Sequence, residues 1–299
     1  MKKIAIYGQS YTVSAEKEIL ILLKSLEKHA IDVHFELDFY NLLIEKKTLQ
    51  KTYKTFSHYN DLSNSFNYMF TVGGDGTILR AVTYVRNLDI PILGINTGRL
   101  GFLATVQKNE IEFAIDCLIQ GRYTLSERTL LQIETTPKTE VFEDLNFALN
   151  EVTIARRNTT SMIGIKTYLN QEYLTNYWAD GLIIATPTGS TGYSLSCDGP
   201  VILPNSKNLV ITPIAPHNLN ARPMVIPEDT SIELEVSARE KDFLISLDSR
   251  IATVNQATKV LVRKASFTIK SVLLHDQSYL KTLRRKLLWG EDTRNEPLL

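Results

Sequence analysis

Phe70-Thr71-Val72-Gly73-Gly74-Asp75-Gly76-Thr77 runs a short apolar strand into three glycines around one carboxylate. Ile78, Leu79, Val82 and Val85 follow at helical spacing. A glycine-rich strand-to-helix turn lets the backbone approach a ligand closely. Free N–H groups at the start of a helix favour an anion such as phosphate. Asp75 is then either the N-cap of an ordinary turn or a working group beside that anion. A carboxylate next to a phosphate is repelled unless it holds a metal or takes a proton from a hydroxyl. The second reading is phosphoryl transfer to an alcohol.

A second dense stretch is Asp180-Gly181-Leu182-Ile183-Ile184-Ala185-Thr186-Pro187-Thr188-Gly189-Ser190-Thr191-Gly192-Tyr193-Ser194-Leu195-Ser196. An apolar strand again ends in a Gly-rich turn, here crowded with hydroxyls. Hydroxyls and bare amides suit ribose and phosphate oxygens, and Tyr193 can stack on a base. The alternative is a hydrogen-bonded turn with Tyr193 in the core. Asn150-Glu151 interrupts an apolar run, so one of the two must point into a sheet or a cleft. His217, in the Pro-punctuated loop 212–223, is either an acid–base group or a structural histidine. There is no G-x-x-x-x-G-K-[ST] P-loop, and no G-x-G-x-x-G follows the first strand.

These groups need a frame. In residues 1–122 strands alternate with helices: strands at 4–7, 33–37, 70–72 and 90–95, helices at 15–29 and 110–119. The pattern predicts a parallel, doubly wound sheet with ligands at the carboxyl ends of its strands. Residues 51–66 are polar and weakly patterned and read as a mobile loop. From 123 to 275 strand signals crowd together and predict an all-β sandwich. A helix over 278–288, with Leu280, Leu283 and Leu287 in register, is expected to return to the first domain with the rest of 276–299, its tail 292–299 frayed.

Composition narrows the partners. The 299 residues are 43% hydrophobic and 22% charged, ordinary for a globular protein. Lys plus Arg is 33 and Asp plus Glu is 33, so no global field draws in nucleic acid or an anionic membrane. Phosphate recognition must be local. Two cysteines, Cys117 and Cys197, make neither a metal pattern nor a disulfide framework. The start reads as a strand and not a signal peptide, and no run of 18 apolar residues occurs. A reducing cytoplasm is the expected location.

Taken in order and spacing, Gly73–Thr77, Gly94-Ile95-Asn96-Thr97-Gly98-Arg99-Leu100-Gly101-Phe102-Leu103, Asn150-Glu151, Asp180–Ser196, Pro213–His217 and Leu283–Gly290 resemble the NAD kinase family over nearly the whole chain. The resemblance implies transfer of the γ-phosphate of ATP to the 2′-hydroxyl of the adenosine ribose of NAD, with a divalent metal, Mg2+. It implies Asp75 as general base, with Gly76 and Phe102 lining the same pocket. Asn150 and Glu151 would contact adenosine, and Asp180 the nicotinamide end. Thr188 and Thr191, Gly192, Tyr193, Ser194, Leu195 and Ser196 would hold adenine and ribose. Gly73, Gly74 and Arg80 would lie nearer the phosphates. It further implies a homo-oligomer, dimer or tetramer. Two departures stand out. Gly192 replaces a usual Ala, a loss of one methyl expected to matter little, and Asp248-Ser249-Arg250 ends in Arg where the family usually has Gln. The competing readings are a lipid kinase sharing the Gly-Gly-Asp-Gly turn, and a module that binds NAD without turnover.

Overall fold

The structure is a computed structural model and describes residues 2–9, 13–98, 100–158, 161–218, 220–275 and 277–289, with the side chains of 13–15 outside the description. Arg99, Gly290 and the tail 292–299 lie outside the described residues. The chain forms two compact units, 1–127 with 269–299, and 128–268.

The first unit opens with β1 (Lys3–Gly8), α1 (Val13–Glu27), β2 (Asp32–Glu36), α2 (Leu37–Glu45), β3 (Lys54–Phe56), β4 (Tyr68–Val72), α3 (Asp75–Val85), β5 (Ile92–Asn96), β6 (Val106–Gln107) and α4 (Ile111–Ile119). Its parallel sheet runs β3-β2-β1-β4-β5. Strand alternation sorts the apolar residues onto two faces. Ile4, Ile6, Phe35, Phe70, Val72, Leu93 and Ile95 share a core with Leu22 and Leu26 of α1, Phe39 of α2, and Ile115 and Leu118 of α4. On the other face α3 packs on β1, β4 and β5, with Ile78, Ala81, Val82 and Val85 buried. Helices on both faces explain why β4 and β5 are buried along their whole length.

The expected loop 51–66 is instead pinned structure. β3 pairs with β2, and Phe56, Leu62 and Phe66 are buried. Three spaced apolar anchors satisfy no single period, which is why the stretch reads as polar loop. α2 also escapes the sequence pattern. Its N-cap is Glu36, whose carboxylate accepts the Phe39 N–H at 2.9 Å, a role more often filled by Ser, Thr, Asp or Asn.

The second unit holds β7 (Tyr123–Thr136, from Arg128 on), β8 (Phe147–Ala148), β9 (Glu151–Arg156), β10 (Ile163–Leu169), β11 (Glu172–Ala179), β12 (Gly181–Ala185), the single turn α5 (Tyr193–Ser196), β13 (Asn208–Ile214), β14 (Met224–Pro227), β15 (Ile232–Ser237), β16 (Asp242–Leu247), β17 (Arg250–Asn255) and most of β18 (Lys259–Leu274). One antiparallel layer has the order β11-β10-β15-β18, the other β14-β13-β12-β9-β16-β17. Ile165, Leu234 and Val262 of the first share a core with Ile154, Leu182, Ile211 and Ile245 of the second, as a sandwich requires. β18 runs unbroken through 16 residues. Thr212-Pro213-Ile214, expected in a loop, completes β13.

The chain closes with α6 (Tyr279–Leu287) in the first unit. Only Leu283 of the expected leucine stripe is buried, and Leu280 is 57% exposed. Gln277, just before the helix, ties to Thr105 through side chain and carbonyl.

Candidate active site

β4 delivers the chain to the Gly-rich turn. Gly73 has φ +154°, and a Cβ there would lie 2.2 Å from Thr77 Oγ1, so only glycine fits. A Cβ at Gly74 or Gly76 would meet nothing within 4 Å. Among the described residues, then, the turn is open at these two positions. Gly74 is the N-cap of α3 and Asp75 its first residue.

Asp75 does more than the sequence suggests. Its Oδ2 accepts the Phe102 N–H at 2.7 Å, and Oδ1 accepts those of Leu103 and Ala104 at 3.0 and 2.9 Å. The carboxylate thus fastens the loop after β5. The loop needs Gly101, where a Cβ would sit 1.9 Å from Asp75 Oδ1. Asn96 holds the loop's other end, accepting from Gly98 N–H at 2.7 Å and donating to the Ala104 carbonyl at 3.3 Å. A carboxylate offers about four lone-pair directions. Three are used here by described residues, which leaves one on Oδ2. Phe102 joins Asp75 in this cluster, with its ring 6.2 Å from that of Tyr279 and Lys286 Nζ 5.8 Å above it.

Arg80 lies more than a turn further along α3 and is exposed. It faces Tyr7 and Gln9: with the Gln9 carboxamide oxygen turned toward it, that oxygen accepts from Arg80 Nη1 and Nε at 2.8 and 2.6 Å. Burial pushes the Tyr7 phenol up to about 12, against the pull of Arg80.

In the second unit Asn150 and Glu151 open β9, and the turn after β12 folds over them. The Thr186 N–H reaches the Asn150 carbonyl at 2.9 Å, and Thr186 Oγ1 donates to the Leu149 carbonyl at 2.6 Å. A Cβ at Gly189 would lie 2.0 Å from the Asn150 carbonyl oxygen, and one at Gly192 would lie 2.8 Å from Glu151 Oε2. The Tyr193 N–H donates to the Glu151 carboxyl. Burial first, and the charge of Asp248 second, push Glu151 up to about 8. Asn150 Oδ1 and Glu151 Oε2 are buried with no hydrogen-bond partner. Buried polar atoms are nearly always paired, so these two oxygens have hydrogen-bonding capacity to offer a ligand or a water.

The hydroxyls of the turn divide into two sets. Ser190 and Ser194 are fully buried, Ser190 on the Pro187 carbonyl and Ser194 on Thr212 Oγ1 at 2.8 Å. Thr188 is buried as well. Thr191, Gly192, Leu195 and Ser196 are at least partly accessible, and Tyr193 is 46% exposed. Tyr193 is thus neither core nor spent on the fold. At Gly192 an added methyl would first meet the far end of the Glu151 side chain, so an Ala there requires the carboxyl to shift.

Asp180 leads into β12 at the end away from Asn150, yet its charge still reaches the Tyr193 phenol, which burial first and the charges of Cys197, Asp180 and Glu151 after it push up. β12 pairs with β9 so that Ala185 faces Glu151 and Gly181 faces Ala155. Asp180 is therefore a strand length, about 17 Å, from the Asn150 end. There it pairs with Arg156 Nη2 at 2.9 Å. His217 is exposed, its backbone N–H on the Trp178 carbonyl at 2.8 Å. Asp248, which the sequence left without a task, accepts the N–H groups of Leu149, Asn150 and Glu151.

At the Gly-rich turn Asp75 is the one carboxylate on offer to a metal. Among the described residues no group of three or more His, Cys, Asp or Glu is placed to hold one. Mg2+ suits such a place, since it keeps water and substrate phosphates as ligands and needs few carboxylates. No helix among the described residues is long and apolar enough to cross a membrane.

Comparison with known proteins agrees with this arrangement. The model of the ATP-NAD kinase N-terminal domain matches residues 6–123, and that of the ATP-NAD kinase C-terminal domain matches 149–274. The NAD kinase of Christiangramia forsetii is 55% identical over 98% of this chain and all of its own length. That of Cytophaga hutchinsonii is 45% identical over 97% of this chain and 99% of its own. Among solved structures, yeast NADH kinase complexed with NADH has TM-score 0.86 at 22% identity, covering 98% of this chain and 89% of its own. The NAD kinase of Archaeoglobus fulgidus in complex with ATP has TM-score 0.74 at 22% identity, covering 96% and 98%. These two share the fold. With two domain models matched in order and near-full-length relatives well above 40% identity, the lipid kinase and the non-catalytic module fall away, and the chain belongs to the ATP-NAD kinase family of enzymes.

Proposed function

We propose that Asp75 is the general base when this enzyme phosphorylates NAD to NADP with ATP. The observation that carries the reading is a lone carboxylate at the first residue of α3, on a turn where Gly74 and Gly76 leave open space. The free Oδ2 lone pair takes the proton of the adenosine 2′-hydroxyl. The 2′-oxygen bonds to the γ-phosphorus, the bond from that phosphorus to the β–γ bridging oxygen breaks, and ADP leaves. The phosphate chain rests on the amides of Gly74–Gly76 at the positive end of the helix, the Gly73 N–H being taken by the Ile95 carbonyl at 3.0 Å. A divalent cation bound through the phosphates and water would supply charge neutralisation there, while the remaining Asp75 lone pair stays with the hydroxyl.

Asn150 and Glu151 meet the adenosine half, which completes the hydrogen bonding of their unpaired oxygens. Tyr193 stacks on adenine, with Thr191, Gly192, Leu195 and Ser196 beside it. Thr188 and Ser194 act by shaping the turn, since both are buried. Asp180 takes the nicotinamide end, a separation that suits a molecule whose two nucleosides are joined by a pyrophosphate. Arg80 adds positive charge near the donor. A homo-oligomer formed through the second unit is supported by exposed Tyr173, Trp178, Met224 and Val225. Two free cysteines support a reducing cytoplasm.

Incubating the purified protein with NAD and ATP labelled in the γ-phosphate tests the proposal. Label should appear on the adenosine 2′ position of NADP, and an Asp75→Asn enzyme should bind NAD yet transfer label about 10²–10⁴-fold more slowly. NAD binding with undiminished transfer in that variant refutes Asp75 as base.

A further inference from the structure

We infer that the turn Asp248–Arg250 is a clamp that sets Asn150 and Glu151 against NAD, an inference that rests on the proposed role of those two residues as NAD ligands. Asp248 follows β16 with φ 53°, in the left-handed region. Its Oδ2 accepts the Leu149 N–H at 2.9 Å, and its Oδ1 accepts those of Asn150 and Glu151 at 2.8 and 3.3 Å. Its own N–H donates to the Glu151 carbonyl at 3.0 Å. Ser246 Oγ holds the Asp248 carbonyl at 2.8 Å.

Arg250 grips the same segment from its other end. Its guanidinium donates to the Leu145 carbonyl at 2.6 Å and to the Phe147 carbonyl, and it lies 5.4 Å over the Phe147 ring. The fork of a guanidinium suits two carbonyls at once. So one turn fixes both flanks of the segment 145–151, and the side chains of Asn150 and Glu151 leave it in a fixed direction. Their unpaired oxygens gain from that rigidity, because a preorganised acceptor spends less of its binding energy on being ordered.

The chemistry also explains why Arg can stand where the family usually has Gln. A carboxamide nitrogen carries two N–H groups and can bridge the same two carbonyls, whereas Met fills the volume and donates to neither. The clamp touches no reacting atom. Asp248 and Arg250 are therefore positioning residues, and their loss should weaken NAD binding without slowing transfer.

Steady-state kinetics of Arg250→Met and Arg250→Gln test this. Met should raise KM for NAD about tenfold, with kcat and KM for ATP within about twofold, the signature of lost uniform binding. Gln should restore KM for NAD to within about threefold of the parent. An unchanged KM for NAD in Arg250→Met, or a joint fall in kcat and rise in both KM values without rescue by Gln, overturns the clamp. Asn150→Ala is the control: if it leaves KM for NAD unchanged, the ligand role itself falls and the clamp with it. If it raises KM for NAD while Arg250→Met does not, the clamp alone falls. Hydrogen exchange on the unmodified, NAD-free enzyme gives a test that needs no variant. The amides of Leu149, Asn150 and Glu151 should be protected, and rapid exchange there overturns the inference.

Discussion

Asp75→Asn removes a proton acceptor and a loop anchor together, and the structure separates the two losses. Asn keeps one oxygen, which best serves Leu103 and Ala104. Its NH2 group then faces the Phe102 N–H across a contact that was 2.7 Å. One charge-assisted hydrogen bond goes, at about 1.5–3 kcal/mol. That loss loosens the loop 101–104 and should lower Tm by a few degrees. Losing the base costs turnover more: about 10²–10⁴-fold in kcat, or roughly 3–5 kcal/mol of barrier. Gly101→Ala isolates the anchor, because its Cβ would land 1.9 Å from Asp75 Oδ1 and displace the loop while the carboxylate stays. Coupled-assay kinetics and thermal melts of both variants decide. The expected result is a much deeper fall in kcat for Asp75→Asn than for Gly101→Ala, with comparable falls in Tm. If Asp75→Asn keeps kcat within tenfold of the parent, or if Gly101→Ala matches its loss, the carboxylate is an anchor and not a base.

Asn150→Ala and Asp180→Ala should each raise KM for NAD with little change in kcat, and an effect confined to KM for ATP would contradict their placement. Gly192→Ala should also raise KM for NAD, since the new methyl meets Glu151 Oε2 at 2.8 Å and must push it aside; unaltered NAD kinetics would show that the carboxyl has room. Glu151 carries a pH signature. Its folded value of about 8 lies above the ordinary 4.5, so the stability it contributes is complete below about pH 4.5 and is lost as pH rises through about 8. Thermal melts of Glu151→Gln across pH 5–9 should therefore flatten relative to the parent. Asp248, also pushed up by burial, adds a slope of the same sign, so flattening should be partial. Parallel curves for the two proteins would refute the shift.

Much of the frame was legible because one period governed each stretch. The apolar residues of β4 and α3 change from strand to helix spacing across three glycines, and both elements and the open Gly-rich turn between them follow from that change. Legibility failed where tertiary contacts do the work. Phe56, Leu62 and Phe66 anchor a polar stretch one residue at a time. The hydroxyl-rich turn shows a similar limit. Spacing cannot say that Ser190 and Ser194 are fully buried with their hydroxyls spent on the fold while Tyr193 stays accessible, because the deciding partners, Ile202 and Thr212, are more than ten residues away. Nor could it say that the space beside Gly192 belongs to Glu151.

The same limit hid a device that the chain uses twice. Asp75 accepts three successive backbone N–H groups, those of Phe102, Leu103 and Ala104, and Asp248 accepts another three, those of Leu149, Asn150 and Glu151. Three N–H dipoles converging on one carboxylate stabilise its charge and stiffen the loop that supplies them. The surroundings assign the two copies different work. Asp75 opens a helix beside bare glycines, so its remaining lone pair can meet a substrate hydroxyl. Asp248 is enclosed and pushed up by burial, and its turn reaches the substrate only through the residues it orders. The contrast predicts opposite kinetic signatures for one substitution. Asp248→Asn should raise KM for NAD and lower Tm with kcat largely kept, whereas Asp75→Asn should lower kcat. Equal loss of kcat in both variants would mean that the two carboxylates share a single role as anchors, and the proton would need another acceptor.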